Sequence, residues 1–206
     1  MVTALDDYVG QIIDVLKSKE MLDNTIIIFT SDNGPHDEGG ANPEFFKAAY
    51  PYKGQKRDLY DGGIHVPMIV QWPDRIKKAR VDDTPWLFAD ILPTLADIAD
   101  VDLNVVPRVR TNGVSITGLL GDDPLKMSER ILYWEFSKQV GDPNSGIIGD
   151  TFQAARKGDW KAVRYGFDAP VELYNITKDP HESNNLASTD KERTKMFLDI
   201  FNKYDD

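Results

Sequence analysis

The sequence predicts an α/β fold that is followed by a small antiparallel sheet with a closing helix. Two short runs, at 25–30 and 66–71, are apolar and largely without alternation, as parallel strands buried on both faces are. Amphipathic segments flank them, and the later part of the chain holds short β-rich runs separated by turn residues. We expect the boundary between these two parts near residue 122, which gives domains 1–122 and 123–206.

The first part begins with a predicted amphipathic helix, because apolar residues recur there with a 3.6-residue period. These residues are Leu5, Val9, Ile12, Ile13 and Leu16. After the second strand, residues 86–98 predict a further helix that covers the sheet, with Pro93 kinking or restarting it. Between the strands lie residues 31–65, a stretch far longer than the about 4 to 6 residues usual for a connection. Such a length indicates a functional or a disordered loop.

The second part predicts an antiparallel meander. Its β-rich runs are 131–136, 152–156, 160–165 and 171–174. Gly158-Asp159 and Gly166 supply the turn signals between the last three runs. The final stretch, 190–204, carries Met196, Phe197, Ile200 and Phe201 on one helical face, so we expect a closing helix.

Composition narrows the function. With 24 Lys and Arg against 34 Asp and Glu, the 206-residue chain has a net charge of −10, which disfavours binding to nucleic acid. Its apolar runs are too short for a membrane span. The absence of cysteine excludes a disulfide scaffold, a thiolate zinc site and a cysteine nucleophile within these residues.

A candidate metal site follows the first strand, where α/β sheets collect their ligands. There the sequence reads Thr30-Ser-Asp-Asn-Gly-Pro-His36. Asp32 and Asn33 offer a carboxylate and an amide oxygen, which suit a hard cation such as Ca²⁺. The alternative is a simple turn, because Asn-Gly is a common turn dipeptide.

A candidate anion site lies further along the same loop. Lys47, Lys53, Lys56 and Arg57 fall between Glu44 and Asp58 with no acid among them. Such a group of cations attracts an anion. The alternative interpretation is a solvated basic loop. His36, four residues beyond Asp32, is a candidate proton donor or substrate contact, and both it and His65 are open to the plainer reading of surface histidines.

These residues resemble the carboxy-terminal half of the formylglycine-dependent sulfatases, arylsulfatase-like enzymes of the alkaline phosphatase superfamily. The segments that carry the resemblance are 31–36, 53–67, Leu5-Asp-Asp-Tyr8, Asp90-Ile-Leu-Pro-Thr-Leu-Ala96, Gly158-Asp-Trp-Lys161, Glu172-Leu-Tyr174, Asp179-Pro180 and Asn184-Asn-Leu-Ala187. The resemblance implies a partial alkaline-phosphatase-like sulfatase sheet with helices. It also implies hydrolysis of a sulfuric ester on a sulfated small molecule or carbohydrate.

The resemblance assigns roles to individual residues. Asp32 and Asn33 correspond to calcium ligands, and Lys56 to the residue that binds the sulfate and assists catalysis. His36 and Lys53 correspond to substrate contacts, with His36 also a possible acid. The family's turn has Glu where this chain has Asp61 and Arg where it has His65, which we interpret as tolerable variation. Two-zinc phosphate hydrolases of the superfamily place His where Asn33 stands, so the Asn favours calcium.

The family's nucleophile has no counterpart in the sequence. Formylglycine arises from Cys or Ser in a Cys/Ser-x-Pro/Ala-x-Arg motif, and none of these residues fits it. We therefore expect a missing amino-terminal half to carry the formylglycine, the chain alone to be inactive and to bind Ca²⁺ weakly, and the incomplete sheet to favour a homo-oligomer. Relatives are commonly periplasmic, secreted or lysosomal. Two alternatives stay open: a non-catalytic module that binds a sulfated ligand, and a phosphodiesterase or phosphonate hydrolase of the same superfamily.

Overall fold

The structure, a computed structural model, describes residues 2–107, 110–122, 124, 126–139 and 148–204. It divides into two compact units that interleave along the chain. Unit 1 comprises Met1–Phe29 and Met68–Ser128, and unit 2 comprises Thr30–Pro67 and Glu129–Asp206. The long loop after the first strand thus packs with the second part of the chain. The predicted domain boundary near residue 122 divides the chain at a single position, and it stays a prediction.

Unit 1 contains the predicted helices and strands of the first part. Helix α1 spans Val2–Ser18, strand β1 Ile27–Thr30, strand β2 Met68–Gln71 and helix α3 Ile91–Ile98; the short helix α2, Asp61–Ile64, belongs to unit 2. The strands β1 and β2 are neighbours in a two-stranded sheet. Pro93 lies in the first turn of α3, where a missing N–H is tolerated, so the helix starts at Ile91 instead of kinking.

The two strands of unit 1 differ from the sequence prediction in their burial. We predicted strands buried on both faces, but Ile28 and Phe29 are exposed in β1, and Ile69 is exposed in β2. Helix α1 has no buried residue. The core of the unit lies instead around Trp72, Ile116 and the residues near them. The apolar runs predicted the positions of the strands correctly. Their burial requires packing partners on both faces of the sheet, and the described residues do not provide them.

Unit 2 contains the predicted meander, which is confirmed. Strands β3 to β6 form an antiparallel sheet in sequential order. They span Ile131–Gln139, Ile148–Lys157, Trp160–Tyr165 and Glu172–Asn175, and helix α4 spans Lys191–Lys203. Gly158 and Gly166, at the turns, have φ of 57° and 120°, a conformation that favours glycine. The α/β class with a closing antiparallel sheet and helix is therefore confirmed.

The sheet of unit 2 is covered on both faces, and this arrangement positions the candidate site. On one face, Ala155, Ala162 and Leu173 pack against Phe197 and Phe201 of α4. On the other face, Ala154 and Val163 pack against Leu59, which belongs to the long loop. The loop is therefore seated on the sheet by its own apolar residue.

Among the described residues, none of the helices is long and apolar enough to cross a membrane.

Candidate anion and metal site

The segment that follows β1 is fastened to the later part of the same loop by backbone contacts. Gly34 N donates to Gly63 O at 2.9 Å, and Lys56 N donates to Pro35 O at 2.9 Å. A Cβ on Gly34 would lie 1.8 Å from Gly62 O, so a side chain there would displace the backbone. The two hydrogen bonds hold the residues around Asn33 beside those around Lys56, so the two predicted site segments come together.

Asp32 and Asn33 are available as oxygen ligands. Asp32 is exposed, and its carboxylate has no hydrogen bond or ion pair among the described residues. Asn33 is half-buried and donates its amide N–H to Gly34 O at 3.0 Å. Carboxylate and amide oxygens are the type of ligand that a hard cation prefers. These two side chains do not supply enough of them, because Ca²⁺ takes about 6 to 8 oxygens. Within the described part of the chain, no group of three or more His, Cys, Asp or Glu side chains could hold a metal ion.

His36, Lys56 and Arg57 converge on the carboxylate of Glu38. The distances to its oxygens are 3.8 Å from His36 Nε2, 4.0 Å from Lys56 Nζ and 3.7 Å from Arg57 Nη2. The predicted anion-binding residues His36 and Lys56 thus share one neighbour. Lys56 and Arg57 are the cations of this cluster, and together with the His36 ring they surround one anionic side chain, which is the arrangement that an external anion requires.

The two ring nitrogens of His36 face different groups. Nδ1 lies 2.8 Å from Glu38 N, which donates to it, and 2.9 Å from Asp37 Oδ1. Nε2 points towards the Glu38 carboxylate, 3.8 Å from Oε1. The ring is mostly buried, with its side chain 18% exposed, whereas Asp37 and Glu38 beside it are exposed. The contacts at Nδ1 thus fix the ring so that Nε2 faces the side chains of the cluster.

Lys53 occupies a different environment from Lys56. Its Nζ lies 3.7 Å from the centroid of the Tyr60 ring and 5.7 Å from that of Tyr174, and it approaches Glu182 O at 3.5 Å. Both rings are further tied together, because the Tyr60 and Tyr174 hydroxyls donate to the same Glu172 oxygen. Burial, followed by the hydrogen bond to Glu172, raises the pKa of both tyrosines. The amine of Lys53 is thus held by an aromatic cage, and its predicted role in substrate binding stays a prediction.

A buried ion cluster lies beneath the loop. Lys161 Nζ lies 2.5 Å from Asp61 Oδ1 and 2.9 Å from Glu182 Oε1, and Asp61 N donates to Glu182 Oε2 at 2.6 Å. Lys161 and Glu182 are 0% exposed and Asp61 is 5% exposed. His65 Nδ1 approaches the other Asp61 oxygen at 3.5 Å.

The pKa values of the two carboxyl groups in this cluster are shifted in opposite directions. Burial raises the pKa of Asp61, but the hydrogen bond from His65 and the charge of Lys161 outweigh it and bring the value to about 2. Burial likewise raises the pKa of Glu182, and there it outweighs the attraction of Lys161. Lys161 is therefore paired mainly with the Asp61 carboxylate.

Sequence reasoning missed this cluster as a unit. It treated Asp61 as a variant of the family's turn and quoted Lys161 only within a resembling segment. A signal was present in β5, since Lys161, Val163 and Tyr165 alternate onto one face of a strand. A lysine in line with buried apolar residues requires an internal partner, but the sequence does not name the partner.

Comparison with known families gives two matches along the chain. Residues 1–101 match the family model described as Sulfatase. Residues 53–203 match the family model described as N-sulphoglucosamine sulphohydrolase, C-terminal. Together the two matches cover both candidate segments and the meander.

Individual relatives agree with the family matches. The chain is 29% identical to an N-acetylgalactosamine-6-O-sulfatase of Bacteroides thetaiotaomicron, over 97% of the chain and 40% of that protein. It is 31% identical to a choline-sulfatase of Rhizobium meliloti, over 90% of the chain and 31% of that protein. The chain thus spans well under half the length of these curated relatives.

A solved structure extends the likeness to the fold. The crystal structure of Ps i-CgsB in complex with k-i-k-neocarrahexaose superposes with a TM-score of 0.77 and 26% identity. The superposition covers 99% of this chain and 41% of the other. It confirms the fold family that the sequence resemblance predicted.

Proposed function

Because this chain belongs to the sulfatase family, we propose that it supplies the sulfate-binding and part of the calcium-binding apparatus of a sulfuric-ester hydrolase. The observation that carries the proposal is the convergence of His36, Lys56 and Arg57 on one carboxylate. A sulfate group brings negative charge on several oxygens, which such a cluster stabilises. The relatives named above are sulfatases of an amino sugar and of choline, so we propose a sulfated carbohydrate or a sulfated small molecule as the substrate class.

In the proposed reaction, the side chains of this chain bind and orient the ester. Lys56 binds the sulfate oxygens and stabilises the charge that grows on them in the transition state. His36 presents Nε2 to the cluster, where it donates a proton to the leaving alcohol or contacts the substrate. Asp32 and Asn33 would hold Ca²⁺, which as a Lewis acid polarises a sulfate oxygen.

The nucleophile is not part of this apparatus. The 206 residues contain no cysteine and no Ser-x-Pro/Ala-x-Arg motif from which a formylglycine could form. We expect the chain by itself to bind sulfate without hydrolysing an aryl sulfate, since charge stabilisation without a nucleophile opens no path for sulfuryl transfer. Turnover by the purified chain that disappears in Lys56→Ala would contradict this expectation.

The binding role is tested by titrating inorganic sulfate into the chain, with chloride keeping the ionic strength constant. Lys56→Ala should weaken sulfate binding by about ten- to a hundredfold, because a charge-assisted hydrogen bond contributes about 1.5 to 3 kcal/mol. Lys178→Ala is the matched control, since Lys178 is an exposed lysine of the same unit, and it should leave the affinity unchanged. Equal losses in both variants, or no binding by the unmodified chain, would overturn the proposal. A parallel titration with inorganic phosphate separates a sulfatase preference from that of a phosphate-ester hydrolase.

The metal role predicts weak calcium binding. Asp32 and Asn33 supply two or three of the about 6 to 8 oxygens that Ca²⁺ requires, so water must complete the shell. Calorimetry should give a millimolar or weaker dissociation constant that Asp32→Asn weakens further. Micromolar binding would show that these residues hold a complete calcium site.

A further inference from the structure

We propose that Lys161, on the buried face of β5, is a positioning residue that sets both segments of the sulfate site through Asp61. The proposal rests on the proposed function, because it concerns the geometry of that same site. It adds a residue that lies outside the loop that carries the predicted sulfate and calcium ligands. Its consequence is that the closing antiparallel sheet controls sulfate affinity.

The buried charges of the cluster are costly to remove from water. Lys161, Asp61 and Glu182 are a lysine and two carboxyl groups with almost no exposure to water. Replacing such a buried ion group with apolar residues of similar volume is often neutral or stabilising, so its contribution to stability alone is a weak reason for its presence. An ion pair with fixed geometry does, however, define where its members sit. In this chain it defines where Asp61 sits on the sheet.

Asp61 is connected to both site segments through the two glycines that follow it. Asp61 is the first residue of the short helix α2, and the glycines that follow it are packed against backbone. Gly62 N donates to Lys53 O at 2.7 Å, and Gly63 O accepts from Gly34 N at 2.9 Å. One glycine therefore holds the lysine segment, and the other holds the segment that carries Asn33. Moving Asp61 moves both.

Glu182 provides a second connection between Asp61 and the Lys53 segment. Its carboxylate accepts from Asp61 N, and its backbone oxygen faces Lys53 Nζ at 3.5 Å. Glu182 has a φ of 48°, in the region that non-glycine residues seldom occupy, so its backbone is held by its surroundings. Lys161 pairs with this same carboxylate. The ammonium group thus joins the loop at 61 and the segment at 182 into one support.

The test compares two buried cations of the same strand. Lys161→Met removes the charge on the face that carries the loop. Arg164→Met removes the charge on the opposite face, where Arg164 donates from Nε to Gln153 Oε1 at 2.8 Å and lies over Phe201 of α4. Urea unfolding of each variant first establishes the conditions under which it is fully folded. Sulfate affinity is then measured there, together with the amide chemical shifts of Gly34 and Gly62.

Lys161→Met should lower sulfate affinity about tenfold or more while the chain stays folded, because small displacements of binding groups have large effects. It should also shift the Gly34 and Gly62 amide resonances. Arg164→Met should lower stability and leave the sulfate affinity and those two resonances unchanged. If both variants weaken sulfate binding equally when folded, or if Lys161→Met changes neither readout, the proposal is wrong.

Two further provisions keep the outcomes separate. Should Lys161→Met not fold, Asp61→Asn tests the same connection, because it keeps the shape of the side chain and removes its charge. Should the unmodified chain bind no sulfate, the proposed function fails, but the Gly34 and Gly62 resonances still decide whether Lys161 positions the loop.

Discussion

Glu38 occupies the place among the cationic side chains that a sulfate group is expected to take. Its carboxylate is 63% exposed and lies within 4.0 Å of His36, Lys56 and Arg57. Glu38 and Arg57 are both exposed, and exposed ion pairs contribute about 0 to 1 kcal/mol. We therefore expect Glu38 to compete weakly for the site and to be displaced by a bound anion.

Glu38→Gln should therefore raise the affinity for inorganic sulfate a few-fold. The increase should shrink at high salt, because screening weakens the competition. Sulfate titrations at two ionic strengths measure it, and Glu44→Gln, an exposed acid of the same loop, serves as the control for net charge. An unchanged or reduced affinity would show that the carboxylate does not compete for the site.

The pH dependence of unfolding reports on the Asp61 carboxylate. Its pKa is about 2 in the folded chain against an ordinary value of 3.8, so folding favours the ionised form. The stabilisation is complete above pH 4 or so and is lost as the pH falls through about 2. Unfolding free energies of the chain and of Asp61→Asn should therefore converge by about 2 kcal/mol between pH 5 and pH 2. A constant difference would contradict the ion pair with Lys161.

The difference in unfolding free energy between Asp61→Asn and the unmodified chain isolates the titration of Asp61 from that of Glu182. The pKa of Glu182 is raised, so the folded state takes up its proton at a higher pH than the unfolded state does. Its contribution to stability therefore grows as the pH falls, opposite to that of Asp61. Because Glu182 is present in both proteins, its own titration largely cancels in the difference.

At the scale of elements, local chemistry predicted most of the fold. Gly158 and Gly166 supply left-handed turns, and these turns define the meander that the sequence predicted. The helix α2 was not predicted, because Gly62 and Gly63 are poor helix formers. It forms where Glu182 accepts the N–H of Asp61, a contact between residues 121 positions apart.

In the candidate site, too, the sequence predicted the residues that are close together along the chain but not the distant partner. The sequence resemblance selected Asp32, Asn33, His36 and Lys56 from residues that are close in sequence, and the structure brings their two segments together. The partner of Asp61 lies 100 positions away, on a strand whose pattern shows only that a lysine is buried. Which acid meets that lysine depends on how the loop lies on the sheet. That information is tertiary and is not carried by any local pattern.

At the scale of the whole molecule, the two units differ in how completely they cover their apolar residues. The sheet of unit 2 is packed on one face by α4 and on the other by the loop. In unit 1, α1 has no buried residue, and Tyr8 and Ile12 are 64% and 60% exposed. An exposed apolar helix face of this kind favours association.

We expect this face to be covered by a second copy of the chain at micromolar concentration, because association removes the apolar side chains from water. Light scattering coupled to size exclusion should give a mass above that of one chain, which falls on dilution. Ile12→Lys should restore the monomer, since a charge in the contact opposes burial. Thr3→Lys adds the same charge at an exposed position of α1 whose neighbours on the same helical face are Asp6 and Asp7, and it should leave the association intact. A monomer at all concentrations, or equal effects of the two variants, would show that α1 does not form the contact.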